Sequence, residues 1–111
     1  MESSFSEIKL FQVKPDRVDE FESLIAQIQV EQKNQAGCIS MRYMKRFWVL
    51  DDLKPRELTR IVKCVRYLSY WEFDSRESYA DAIQWFFDAH AKQLMRLLIM
   101  PFDVHCGYTI G

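Results

Sequence analysis

One segment limits the folds open to this chain more than any other. From Arg60 to Phe73 the residues alternate so that both faces of a strand are loaded. Val65, Tyr67 and Trp71 fall on one side, and Val62, Leu68 and Tyr70 on the other. A strand with large apolar side chains on both faces must be covered on both. It belongs in the middle of a layered structure, with other elements above and below it.

The rest of the chain supplies those layers. Phe5 to Val13 reads as a first strand, with Ile8 and Leu10 sharing a face. Lys14-Pro15-Asp16 changes the period, because proline suits a first helical turn where its missing N–H is not needed. Asp16, Asp19 and Glu20 favour the positive end of the helix dipole. Val18, Phe21, Ile25 and Ile28 then recur at helical spacing to about Asn34, and Gly37 serves as a left-handed stop. Cys38 to Leu50 reads as a long second strand. The polar stretch Asp51 to Thr59, interrupted by Pro55, reads as a loop or short helical turn. After the Arg60–Phe73 strand, Asp74 and Glu77 form a capping-box start for a second helix. Its buried stripe is Tyr79, Ala82, Ile83 and Phe86, with a bend expected near Phe87-Asp88 before the run resumes to Pro101. Val104 to Ile110 alternates as a last strand.

Strand, helix, strand, strand, helix, strand is the order of a ferredoxin-like split βαβ sandwich, an α+β fold. Its four-stranded antiparallel sheet carries both helices on one face. The other face still holds aromatic and aliphatic side chains, a patch larger than a monomer normally leaves wet. A second copy is expected to cover it, which makes the chain a homodimer and the space between the sheets a candidate pocket. The 16 aromatic residues, 14% of 111 positions, then have somewhere to be buried.

Several function classes are excluded. The three glycines, Gly37, Gly107 and Gly111, are scattered, so there is no glycine-rich loop to cradle a phosphate. Fifteen basic residues against 16 acidic ones leave a net charge of −1, which argues against a nucleic-acid partner. Arg42, Lys45, Arg46, Arg60 and Lys63 read as strand-edge charges that discourage aggregation. Cys38, Cys64 and Cys106 form no short-spaced pair, and no apolar run is long enough for a membrane span. With no leader segment at the start, a cytoplasmic protein without membrane or metal partners is expected.

His90 is the leading candidate for chemistry. It lies four residues from both Phe86 and Leu94, at the edge of the apolar stripe and directed towards the sheet, and its ordinary pKa of ~6.5 suits proton transfer near neutrality. Arg66 shares a strand face with Leu68 and, if buried, needs a carboxylate such as Glu7 or Glu72, or an anionic ligand. Tyr67, Trp71 and Trp85 could line a wall for a planar aromatic molecule. Most of these rings read more readily as ordinary sheet and dimer core, because aromatics are favoured in strands whatever the function.

Val13-Lys14-Pro15, Phe21-Glu22, Gln35-Ala36-Gly37-Cys38-Ile39-Ser40 and Tyr70-Trp71-Glu72, in that order and spacing, resemble the antibiotic biosynthesis monooxygenase family of dimeric α+β barrel proteins. The resemblance spans about residues 6 to 110, so residues 1–111 are expected to form a single domain of this kind. It implies a homodimer packed through its sheet faces and, in some members, oxidation of an apolar aromatic small molecule by molecular oxygen with no cofactor. His90 would then be the base, with Arg66, Tyr67, Trp71 and Trp85 around the substrate. A second branch binds or degrades heme through an axial histidine, and Phe86-Phe87-Asp88-Ala89-His90 resembles its segment. The first-strand asparagine and the tryptophan ten residues before the histidine are missing here, where Ala80 stands. A non-catalytic dimeric ligand-binding module is the remaining alternative.

Overall fold

The computed structural model describes residues 3–59 and 63–111. Strand β1 (Phe5–Val13) leads through a 3-10 turn at Pro15–Arg17 into helix α1 (Val18–Lys33). Strand β2 (Cys38–Arg46) is followed by a hairpin of β3 (Trp48–Asp51) and β4 (Lys54–Glu57), and then by β5 (Val65–Phe73). Helix α2 (Arg76–Phe86) passes through a π-helical turn (Phe87–Ala91) into the short α3 (Lys92–Met95), and β6 (Asp103–Tyr108) closes the chain. The main sheet is antiparallel throughout, in the order β2-β5-β1-β6. This is the ferredoxin-like α+β arrangement that the element order implies.

Strict alternation sorts the sheet into two faces. On β1, Phe5, Glu7, Lys9, Phe11 and Val13 are buried, and on β5 so are Val65, Tyr67, Ser69, Trp71 and Phe73. These residues meet Phe21, Ile25, Ile28 and Gln32 of α1 and Tyr79, Ala82 and Phe86 of α2. The opposite face presents Ile8 and Leu10 from β1, Met44 from β2, and Arg66, Leu68 and Tyr70 from β5. Ile8 is 41% and Met44 56% exposed.

Three local expectations are corrected. Residues 51–59 are not a loop or helical turn: β3 and β4 form a hairpin in register from Trp48 opposite Glu57 to Asp51 opposite Lys54. Its turn is made by Asp52 and Leu53, both with positive φ, the backbone sense that matches strand twist in tight hairpins. The cap of α2 is Ser75, whose Oγ accepts from the Ser78 N–H at 3.1 Å. Asp74 is one residue too early and instead donates its N–H to the Gly37 carbonyl. The second helical run stops at Met95, because Leu97 to Ile99 turn to bond the end of β1. Lys14 N–H donates to Leu97 O, and Ile99 N–H to Gln12 O. The expected bend near Phe87 is present as the π-helical turn. Arg60 and Val62, expected at the start of the third strand, lie outside the described residues.

Gly37 joins the two halves of the fold. Its φ is +83°, and a Cβ there would sit 2.5 Å from Asp74 Oδ1 and 2.6 Å from Ser78 Oγ, against the start of α2. Gly37→Ala is expected to destabilise the protein by more than about 1 kcal/mol in urea unfolding, since neither backbone nor space accepts the methyl group.

Candidate functional site

The β1 sequence FSEIKLFQV places Glu7 and Lys9 in the same parity as Phe5, Phe11 and Val13. Both charged side chains therefore enter the layer between sheet and helices, and both are fully buried. Lys9 Nζ lies 2.5 Å from Glu7 Oε1, and the Tyr79 hydroxyl of α2 donates to Glu7 Oε2 at 2.5 Å. The Lys9 ammonium also stands 4.3 Å from the Phe86 ring centroid and 4.8 Å from that of Trp71. Burial pulls the Lys9 pKa below its ordinary 10.5, while Glu7 pulls it back. Burial and the adjacent Glu7 push Tyr79 upward, so its hydroxyl keeps its proton and donates.

Register fixes what surrounds this pair. Across the sheet, Lys9 faces Ser69 on β5, and Ser69 faces Tyr43 on β2. One row along, Glu7 faces Trp71, with Met41 beyond it. From α1, Gln32 accepts the Tyr43 hydroxyl on Oε1 at 2.6 Å, and its backbone carbonyl accepts Trp71 Nε1–H at 3.3 Å. A row of polar groups thus runs through a layer otherwise made of Phe11, Phe21, Trp71, Phe73 and Phe86 rings. A surface groove of about 260 Å³, lined by Phe21, Glu22, Ile25, Tyr43, Lys45 and Tyr67, opens beside it, with Tyr43 shared between groove and row.

The residues singled out from sequence are dispersed. Trp71 and Tyr67 are buried on the helix face, Trp71 beside Lys9 and Tyr67 donating its hydroxyl to Glu22, which also pairs with Lys45 at 2.6 Å. Arg66 is exposed on the opposite face. There it lines a 300 Å³ cleft with Leu10, Gln12, Arg46, Leu68 and Asp103. Neither expected partner reaches it: Glu7 is taken by Lys9, and Glu72 accepts from Ser4 and Tyr70. His90 does not point to the sheet. The π-helical turn swings it towards α1, where Nε2 lies 2.7 Å from Glu31 Oε2, and Trp85 packs edge-on at 5.2 Å. This arrangement does not fit a heme. The imidazole nitrogen that would meet iron is held by Glu31. Among the described residues no cluster of three or more His, Cys, Asp or Glu side chains could hold a metal ion. No helix among them is long and apolar enough to cross a membrane.

Sequence reasoning misses Lys9, Gln32 and Ser69, and offers Glu7 to Arg66 where the structure gives it to Lys9. The signal is parity: Phe5, Phe11 and Val13 outweigh Ile8 and Leu10, and Gln32 lies four residues beyond Ile28 on the buried stripe. A buried pair of this kind stabilises a fold no better than apolar residues of the same shape, but removing one partner strands the other charge. Glu7→Gln is therefore expected to cost about 3–5 kcal/mol. Adding Lys9→Met should restore most of it, with the carboxamide introduced at position 7 still accepting from Tyr79; a double-mutant cycle in urea checks this.

The sequence pattern of a family described as antibiotic biosynthesis monooxygenase matches residues 4–62, just over half of the chain. No curated protein matches closely enough to count as a relative. Among solved structures, the cofactor-independent oxygenase SnoaB from Streptomyces nogalater superposes with a TM-score of 0.71 at 16% identity, covering 98% of this chain and 95% of its own. A monooxygenase from the ActVA-Orf6 gene of Streptomyces coelicolor, in complex with nanaomycin D, gives 0.68 at 15%, covering 98% and 89%. A dimeric ferredoxin-like protein from an uncultured marine organism gives 0.68 at 13%, covering 99% and 90%.

Proposed function

Because this chain belongs to the antibiotic biosynthesis monooxygenase family, we propose that it is a cofactor-independent oxygenase of hydroxylated, apolar aromatic molecules, acting in the layer between sheet and helices. The observation that carries this reading is the fully buried Glu7–Lys9 pair set among Trp71, Phe86 and Tyr79. The similarity to an oxygenase described as cofactor-independent, and to one bound to nanaomycin D, supports it.

The chemistry needs a proton acceptor, a counter-charge and exclusion of water. Glu7 takes the phenolic proton, and the Lys9 ammonium, released from its carboxylate partner, offsets the phenolate that forms. The electron-rich ring carbon then reduces dioxygen and forms a C–O bond. Loss of the ring hydrogen and cleavage of the O–O bond give a quinone and water. For 1-naphthol the sum is one naphthol plus one O₂ to 1,4-naphthoquinone plus one H₂O. Trp71 forms a wall of this site. Tyr67, on the same sheet face, belongs to the neighbouring groove. Arg66, on the opposite face, and His90 with Trp85, at the α1 junction, stand outside it.

Oxygen-electrode measurements with 1-naphthol should show one O₂ consumed per naphthol. Lys9→Met and Glu7→Gln are expected to lower the rate by about 10²-fold or more, whereas His90→Ala leaves it within about threefold. A large loss in His90→Ala with Lys9→Met active would reverse the assignment. Absence of uptake across a panel of phenols would remove the oxygenase reading in favour of a binding module.

A second copy covers the open sheet face, where Ile8, Met44, Leu68 and Tyr70 line a cleft of about 270 Å³. The dimeric state of a structural neighbour supports this. Sedimentation equilibrium at micromolar concentration should give twice the chain mass, and Ile8→Glu, which places a charge on that face, should give the monomer.

A further inference from the structure

Two features at one end of the sheet lack a counterpart among the described residues. The first is the β3–β4 hairpin. It begins two residues after Arg46, at the end of the edge strand β2, and among the described residues its strands pair only with each other. Trp48 and Leu50 share one of its faces, and Leu53 at its tip is 86% exposed. A two-stranded hairpin standing alone is barely stable in water. Asp52 and Leu53 hold φ values of +50° and +61°, a backbone sense that costs leucine more than glycine or asparagine. A strained, apolar tip of this kind calls for a surface that holds it.

The second is the cleft of about 300 Å³ at the basic end of the open sheet face. Arg46 of β2 stands opposite Arg66 of β5, and like charges directly opposite each other destabilise a strand pair. Neither guanidinium joins any of the ion pairs among the described residues. Asp103 lines the far side of the cleft from β6, with β1 between it and Arg66. One row in from the arginines the floor is apolar, where Leu10 faces Leu68 across β1 and β5. The cleft thus offers two adjacent cations beside an apolar floor, which suits a carboxylate attached to a small aliphatic group.

Resting on the reading of the chain as a dimer through its open sheet face, we propose that the Asp52–Leu53 tip of each copy seats in this cleft of the other. Leu53 packs against Leu10 and Leu68, and the Asp52 carboxylate lies between Arg46 and Arg66. The chain carries both halves of the contact, as a self-complementary two-fold interface requires. Asp52 is available for it, because Arg56 pairs with Asp51 instead, at 2.8 Å. The reach agrees as well. With the two-fold axis along the strands, β2 of one copy lies over β6 of the other, two to three strand spacings (about 10–14 Å) from the strands that carry the arginines. A four-residue hairpin strand spans about 14 Å. In the hairpin the carboxylates Asp51, Asp52 and Glu57 outnumber Lys54 and Arg56, which suits a basic cleft and opposes an anionic lipid surface.

Sedimentation equilibrium over a concentration series reads the dimer dissociation constant, with circular dichroism to check folding. Asp52→Lys and Arg66→Glu should each raise that constant at least about tenfold, and the two together in one chain should return it to within about threefold of wild type. Leu53→Gly should weaken the dimer about tenfold, although glycine suits the +61° backbone better than leucine and a merely local role would leave the dimer unchanged. Should Arg66→Glu fail to fold, Arg46→Glu with Asp52→Lys makes the same comparison. A dimer unchanged in Asp52→Lys and Leu53→Gly, with Ile8→Glu still monomeric, would overturn the proposal and leave the dimer reading standing. Two weakened single charge reversals with no recovery in the double would overturn it too. Binding of the wild-type protein to phosphatidylserine vesicles, lost in Leu53→Gly while the dimer is unchanged, would overturn it in favour of a lipid surface. A monomeric wild-type protein would remove the dimer reading and this contact with it, so the two failures are distinguishable.

Discussion

Placing Glu7 and Lys9 on the core face of β1 sets the terms for everything packed against that strand. β1 lies between β5 and β6, so the pair sits inside the sheet, away from its edges. Two opposite charges removed from water must satisfy each other and then find further hydrogen bonds for what remains. Tyr79 supplies one of these from α2, and the Trp71 and Phe86 rings stand against the ammonium. The position of α2 over the sheet is thus tied to a polar contact as well as to the Phe5, Trp71 and Phe73 rings around Tyr79. A leucine and a methionine in place of the pair would hold the layers together as well. What the pair adds is a carboxylate and an ammonium held out of water side by side, on which the proposed oxygenase chemistry rests.

The sheet separates two chambers with different chemistry. Its helix face is a closed aromatic layer with one polar row. Its open face is apolar at the centre, around Ile8, Met44 and Leu68, and basic at one end, where Arg46 faces Arg66 across β2 and β5. Because side chains alternate, neighbours in sequence enter different chambers. Arg66 and Tyr67 are adjacent in the chain yet face opposite ways, so they belong to different surroundings. The π-helical turn makes a comparable division on the helical side. It turns His90 towards Glu31 of α1, which links the two helices over the outside of the layer and leaves the interior to Phe86.

Much of this is legible in the sequence. The element order and the burial of Val65, Tyr67 and Trp71 follow from period and parity, as do the α1 stripe and the irregularity after Phe86. The β3–β4 hairpin is hidden because Pro55 and the charged residues around it mask a strand pair that has no core to bury against. The cap of α2 reads one residue early because Asp74 and Ser75 are both good caps, and only the helix axis chooses between them. The buried pair escapes for a sharper reason: a single-sequence reading assigns charges to water, which gives weight to Ile8 and Leu10, passes over Lys9 and offers Glu7 to Arg66.

The sequence by itself determined the ferredoxin-like order of elements and the presence of apolar side chains on both faces of the third long strand. Both are local, carried by periodicity and by where glycine and proline interrupt it. Only the tertiary structure decided which face of β1 meets the helices, and therefore which polar residues are buried together. Lys9, Ser69, Tyr43 and Gln32 come from four separate elements, and their proximity depends on strand register and helix placement. It also decided that His90 is held by Glu31. The rotation introduced by one π-helical turn is set by how the chain packs, and residue spacing alone does not record it.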